Sequence, residues 1–144
     1  LRMLEVMSAK DKFHDIVRLA LEKDGWNITN DPLYIDFGQV QMRIDLGAEK
    51  LLAAEKEGEK IAVEIKSFLN PSAITDFHVA LGQFLNYRTA LRAKEPERKL
   101  YLAVDIETYN DFFKLPFLQL QVQEFQLKLV VYDTEIEEVV RWIN

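Results

Sequence analysis

Asp45 and the triplet Glu64-Ile65-Lys66 are the residues of this 144-residue chain whose types and spacing could do chemistry. In a strand, side chains alternate between faces. Glu64 and Lys66 therefore share one face with small Ala62, and Ile61, Val63 and Ile65 share the apolar other. Two carboxylates brought together bind a hard divalent cation, and the Ile65 carbonyl offers a third oxygen. Such an ion acidifies a bound water and stabilises charge on a phosphodiester. Lys66 would hold or deprotonate the attacking water and contact the phosphate. Asp45 comes close to Glu64 if the strand ahead of the triplet pairs with it antiparallel. Set against this, a Glu-x-Lys pair on a strand face is often only a cross-paired, solvated surface.

The segment after the triplet adds Gln83 and Tyr87, which at i, i+4 share one helix face. Asp76 and Val79 fall on that side, and Phe77, Leu81 and Phe84 on another that supplies the core. Gln83 and Tyr87 could reach the active site or a DNA backbone, although a half-buried tyrosine beside a solvated glutamine is equally ordinary. His14 sits next to Phe13 and Val17. Its plainer reading is a partly buried helix histidine, and its functional reading a ligand or phosphate contact at the edge of the metal site. His78 falls away from the Gln83 face and reads as structural. Arg88 and Arg92 head a basic cluster with Lys94, Arg98 and Lys99, which is either a DNA-backbone contact or a solvated helix end, where cations are favoured anyway.

These residues need a scaffold, and the patterning supplies one. Ser8 and Asp11 resemble a capping box, and Phe13, Ile16, Val17 and Ala20 predict a helix over residues 9–23 that Gly25 ends. Residues 33–37 read as a short strand after the Asp31-Pro32 turn. Glu57-Gly58 predicts a hairpin between strands 51–56 and 60–67. Residues 74–93 have helical periodicity with Pro96 beyond their end, and 100–105 form a compact apolar strand. Residues 109–124 are helical in part and broken near Pro116; 127–133 are a strand, and 138–143 a final strand or helix. This order predicts one α/β domain over residues 1–144, a mixed sheet with helices on both faces, in which residues 1–7 are a dispensable leader.

Composition narrows the chemistry. The chain is 49% hydrophobic and 29% charged, a globular balance, with no run near the roughly 20 apolar residues that span a bilayer and no signal-peptide pattern at its start. These features predict a soluble cytoplasmic protein. Without cysteine and with two histidines, a metal site must be built from oxygen ligands, which favours Mg²⁺, Mn²⁺ or Ca²⁺. The net charge of −6 opposes nucleic-acid binding unless local basic patches prevail. A carboxylate pair could also serve glycoside hydrolysis, but Lys66 has no purpose there.

Asp45, Glu64-Ile65-Lys66 and Gln83-x-x-x-Tyr87, after a helix bearing His14, resemble the PD-(D/E)XK nuclease superfamily. The Gln-x-x-x-Tyr element is similar to that of its RecB-like nucleases, in which a histidine of an early helix joins the metal site. Ile44 stands where the superfamily pattern has proline, one of its more variable positions. From about Met7 to Asn144, the runs Ser8-Ala9-Lys10-Asp11-Lys12-Phe13-His14-Asp15, Asp24-Gly25-Trp26, Asp31-Pro32-Leu33 and Ala62-Val63-Glu64-Ile65-Lys66-Ser67-Phe68 resemble the XisH family, cyanobacterial excision controlling factors of the fdxN element. The resemblance implies a restriction-endonuclease-like fold, a central mixed β-sheet flanked by helices. It implies an endonuclease with Asp45, Glu64, Lys66, Gln83 and Tyr87 as catalytic residues. Asp45, Glu64, Ile65 and His14 would hold Mg²⁺ or Mn²⁺, and Arg88 and Arg92 would contact DNA. It implies a role in excising a DNA element during heterocyst differentiation, with an XisI-like partner protein and a site-specific recombinase; self-association is left open. The alternative is a non-catalytic regulator on the same fold.

Overall fold

The computed structural model describes the backbone of residues 2–37, 40–42 and 51–144 and the side chains of residues 12–35 and 51–144. Helix α1 (Arg2–Lys23) leads into β1 (Asn27–Asn30), and β2 (Ile35–Phe37) pairs with β3 (Val40–Met42) in a separate two-stranded sheet. The hairpin strands β4 (Leu51–Lys56) and β5 (Glu59–Ile65) precede α2 (Ala73–Lys94) and β6 (Arg98–Asp105). The short α3 (Ile106–Thr108) runs into a π-helical turn (Tyr109–Phe113), followed by α4 (Pro116–Glu124), β7 (Leu129–Asp133) and β8 (Glu138–Ile143).

Six strands form one sheet in the order β1-β4-β5-β6-β7-β8. Only the central pairs β5–β6 and β6–β7 are parallel; the outer pairs are antiparallel. The Glu57-Gly58 turn explains the hairpin: both residues have positive φ, 50° and 84°, the geometry that matches strand twist in a two-residue loop. Parallel β6 then requires a crossover, which α2 provides.

The two faces carry separate cores. On one, Ile16, Val17, Ala20 and Leu21 of α1 pack on Ile61, Val63, Ile65, Tyr101 and Tyr132, with Trp142 edge-on to Tyr101 at 4.9 Å between centroids. On the other, Phe77, Phe84 and Leu91 of α2 pack with Ala62, Leu100, Leu102 and Phe113.

The predicted elements are present with changed edges. α1 begins at Arg2 rather than residue 9, so Ser8 lies inside the helix instead of capping it; Leu, Met and Glu ahead of it are good helix formers. Gly25, at φ 94°, closes α1 as expected. Its N–H reaches Glu22 O and that of Trp26 reaches Leu21 O, both at 3.0 Å, the paired bonds of a Schellman end. Strand β1 went unpredicted, because an edge strand of mostly exposed polar residues shows no alternation. The last segment is a strand, and among the described residues no helix is long and apolar enough to cross a membrane.

Candidate active site

The alternation along β5 is as the sequence predicts. Ile61, Val63 and Ile65 belong to the α1-side core, and Ala62 to the α2-side core. Glu64 shares the parity of Ala62 and is 2% exposed. Leu51, the first residue of β4, lies opposite it, and Leu102 of β6 flanks it on the other side. A carboxylate thus stands within an apolar sheet face, where a charge is costly unless compensated.

Tyr87 of α2 lies within reach of that charge. Burial pushes its phenol up to about 12, and the Glu64 carboxylate adds to the shift. Gln83 lies one turn earlier on the same helix face and is half-buried. The structure therefore brings Glu64 and Tyr87 together, with Gln83 beside Tyr87. Of the companions assigned to that helix side, Val79 is exposed and Asp76 is 3% exposed. The helix inserts along the 76/80/84/87/91 stripe, so Tyr87 contributes to the core together with Phe77 and Phe84 rather than lying apart from it.

Lys66 is half-buried and is the first residue beyond β5. The chain leaves the sheet there under firm constraint. Phe68 adopts φ 50°, a left-handed conformation costing an L-residue roughly 1–2 kcal/mol, and its ring is held edge-on to Phe113 at 5.7 Å. Two residues after Phe68, Asn70 donates from its N at 3.0 Å and its Nδ2 at 2.5 Å to the Asp76 carboxylate. Asp76 thereby ties the first turn of α2 to the loop carrying Lys66, a positioning role not read from the sequence. An acidic residue in a helix's first turn was the available signal.

Asp45 lies outside the described residues. Ile65 ends β5 with its side chain buried on the α1 face, so it has only its carbonyl to offer. His14 turns to other partners: Nε2 is 2.9 Å from Asp31 Oδ1 and Nδ1 is 3.3 Å from Asp15 Oδ1. Arg18 donates to the second Asp31 oxygen at 2.7 Å. Burial alone would raise the Asp31 carboxyl, but the hydrogen bonds and charges of Arg18 and His14 outweigh it and hold the group below its ordinary value. Register places the end of β1 at the same end of the sheet as Glu64, since Asn30 pairs with Ala53 and Ala53 with Ala62, but α1, which carries His14 and Arg18, packs on the sheet face opposite that of Glu64. Among the described residues no three His, Asp or Glu side chains form a metal-binding group.

Arg88 is anchored: Nη1 donates to Phe125 O at 2.5 Å, at the C-terminal end of α4, and the guanidinium lies over the Phe84 ring. Burial, and then the charge of Arg92, push its pKa down. Arg92 itself is exposed.

The fold defines a class: a mixed α/β protein with a six-stranded mixed sheet flanked by helices, an arrangement consistent with the restriction-endonuclease-like fold. A family model described as XisH protein matches residues 7–140, and the chain belongs to that family. It is similar to an XisH family protein from Nostoc punctiforme PCC 73102, at 57% identity and a TM-score of 0.86 over 92% of this chain and 99% of that one. It is also similar to a fdxN element excision controlling factor protein from Anabaena variabilis, at 55% identity and a TM-score of 0.86 over 93% of this chain and 99% of the other. No curated protein matches the chain.

Proposed function

We propose that this protein controls excision of a genomic DNA element, as the name of its Anabaena variabilis relative says of that protein, and that it does so as a divalent-metal-dependent endonuclease of the PD-(D/E)XK type. The observation that carries the reading is the buried Glu64 carboxylate at the end of a central strand, with the Tyr87 phenol close enough to sense its charge. A charge placed in such a setting is a mark of functional sites.

The donor set fits a hard ion. The Glu64 carboxylate and the Ile65 carbonyl supply oxygens from adjacent residues, Asp45 supplies a second carboxylate, and the chain has no cysteine to divert the choice toward softer metals. Mg²⁺ or Mn²⁺ held there would activate a water and stabilise charge on the phosphodiester. The remaining roles belong to the chain. Lys66, on the loop pinned by Phe68 and Asp76, contacts the phosphate and holds or deprotonates the water. Tyr87 keeps its proton across the working pH range and donates a hydrogen bond. Gln83 orients the strand beside it, and Arg88 and Arg92 contact the DNA backbone. His14 joins the ion only by releasing Asp31. The protein works in the cytoplasm with an XisI-like partner and a site-specific recombinase.

The test is cleavage of supercoiled and linear DNA with Mg²⁺ or Mn²⁺, with and without the partner. Cleavage should be abolished by chelation and by Asp45→Ala, Glu64→Ala or Lys66→Ala. Ion binding with no cleavage on any substrate would instead favour the second reading, a non-catalytic regulator that positions the recombinase. The net charge of −6 speaks for that reading.

A further inference from the structure

The chain has 24 acidic against 18 basic side chains, yet one groove gathers five of those eighteen cations and no carboxylate. It has a volume of about 240 Å³ and lies between the C-terminal half of α2, the start of β6 and the approach to β7. Arg88 and Arg92 come from successive turns of α2, Arg98 and Lys99 from β6, and Lys128 from just before β7.

These cations have different duties. Arg98 is structural: Nη1 donates to Ile61 O at 3.0 Å, and Nε and Nη2 meet Glu95 Oε1, each at 3.1 Å. Arg88 commits Nη1 to the carbonyls of Phe125 and Gln126, which leaves most of its five donors. Among the described residues Arg92, Lys99 and Lys128 form no ion pair. Lys99 alternates with Leu100 along β6 and so shares the other sheet face with Tyr101. This leaves Arg88, Arg92 and Lys128 as three positive groups about a concave site whose apolar wall includes buried Phe84, Leu91 and Leu100. Such a site concentrates field and attracts anions. The crowding of Arg92 on Arg88 is a repulsion that a bound anion relieves, and guanidinium groups match phosphoryl oxygens with paired hydrogen bonds.

We propose that this groove seats a phosphoryl anion, either a backbone phosphate of nucleic acid or a small free phosphoanion. The backbone-phosphate form rests on the DNA-acting reading above; the seat itself does not depend on the metal chemistry. Register favours the backbone form. Arg98, on the groove face of β6, pairs with Lys60, four residues before Glu64 on β5, about 13 Å along the strand. At roughly 3.4 Å of duplex axis per phosphate of one strand, a strand seated here passes Glu64 about four steps on.

The test uses the full chain in chelator, so that cleavage plays no part. Binding of inorganic pyrophosphate is measured by calorimetry, and binding of a duplex oligonucleotide by fluorescence anisotropy over a salt series. The double variant Arg92→Gln/Lys128→Gln is compared with a charge-matched control, Lys12→Gln/Lys114→Gln. If the seat holds a backbone phosphate, the groove variant weakens duplex binding at least about tenfold and lowers the salt slope by about two, while the control stays close to wild type. Pyrophosphate binding without duplex binding, lost in the groove variant, assigns the seat to a free phosphoanion. Equal losses in groove variant and control, or no binding of either probe by wild type, overturn the proposal. Groove-dependent DNA binding without metal-dependent cleavage would remove the nuclease reading and leave the seat standing.

Discussion

Replacing Asp31 by Asn should separate the structural duty of His14 from any service to a metal. Asp31 is 14% exposed and His14 12%, at 2.9 Å, while Arg18, at 2.7 Å, is 39% exposed. A shielded hydrogen bond to a charged group contributes about 1.5–3 kcal/mol, and a solvent-exposed pair about 1 kcal/mol or less. Asn keeps one acceptor oxygen, so the variant should lose about 2 kcal/mol, or about 4–8 °C in melting temperature for a chain of this length. The pH dependence follows from the lowered Asp31 pKa. A carboxyl with a depressed folded pKa contributes stability that is fully present above its unfolded value of about 4 and is lost as pH falls through the folded one. Scanning calorimetry across a pH series should therefore show the full gap between wild type and Asp31→Asn near neutrality, and a gap that closes as pH falls through the lowered pKa of Asp31. Equal melting temperatures at neutral pH, or a gap unchanged in strong acid, would refute the ion-pair argument. A His14 that serves an ion instead of Asp31 predicts the first of these outcomes.

Tyr87 should titrate near 12 by ring NMR. Because its folded pKa is raised, the stability it contributes is complete below its unfolded value of about 10 and is lost as pH rises toward 12. Glu64→Gln should lower the Tyr87 titration yet leave it above 10, since burial is the larger cause; an unmoved titration would contradict the proximity of the two groups. Phe113→Ala should destabilise by about 3–5 kcal/mol in urea unfolding, because the ring is fully buried and meets both Phe68 and Phe77 edge-on. Gly25→Ala should lose about 1–2 kcal/mol in the same assay, since a side chain at φ 94° is strained and its Cβ would stand 3.1 Å from Lys56 Cε.

Much of the scaffold is visible along the chain because local physics writes it there. The Ile61/Val63/Ile65 alternation marks β5, Glu57-Gly58 marks the turn before it, and Gly25 marks the end of α1. Each depends on neighbours within a few residues. The same locality explains the failures. β1 is an edge strand whose mostly exposed residues show no pattern, and Ser8 carries a capping type without a helix boundary. Tyr87 reads with Gln83 as a face apart from the core side of α2, although it lies in the stripe that α2 buries.

By itself the sequence determined the alternation that sets Glu64 apart from its apolar neighbours, the helix that follows with Gln83 and Tyr87 one turn apart, and kinship with the XisH family. Only the tertiary structure decided which groups meet. His14 found Asp31, 17 positions away, and Arg88 found Phe125, 37 away. The groove joins cations from residues 88 to 128. Such pairings arise from strand order and helix crossover. Those are fixed by burying two apolar sheet faces at once, a condition that no local stretch of sequence contains.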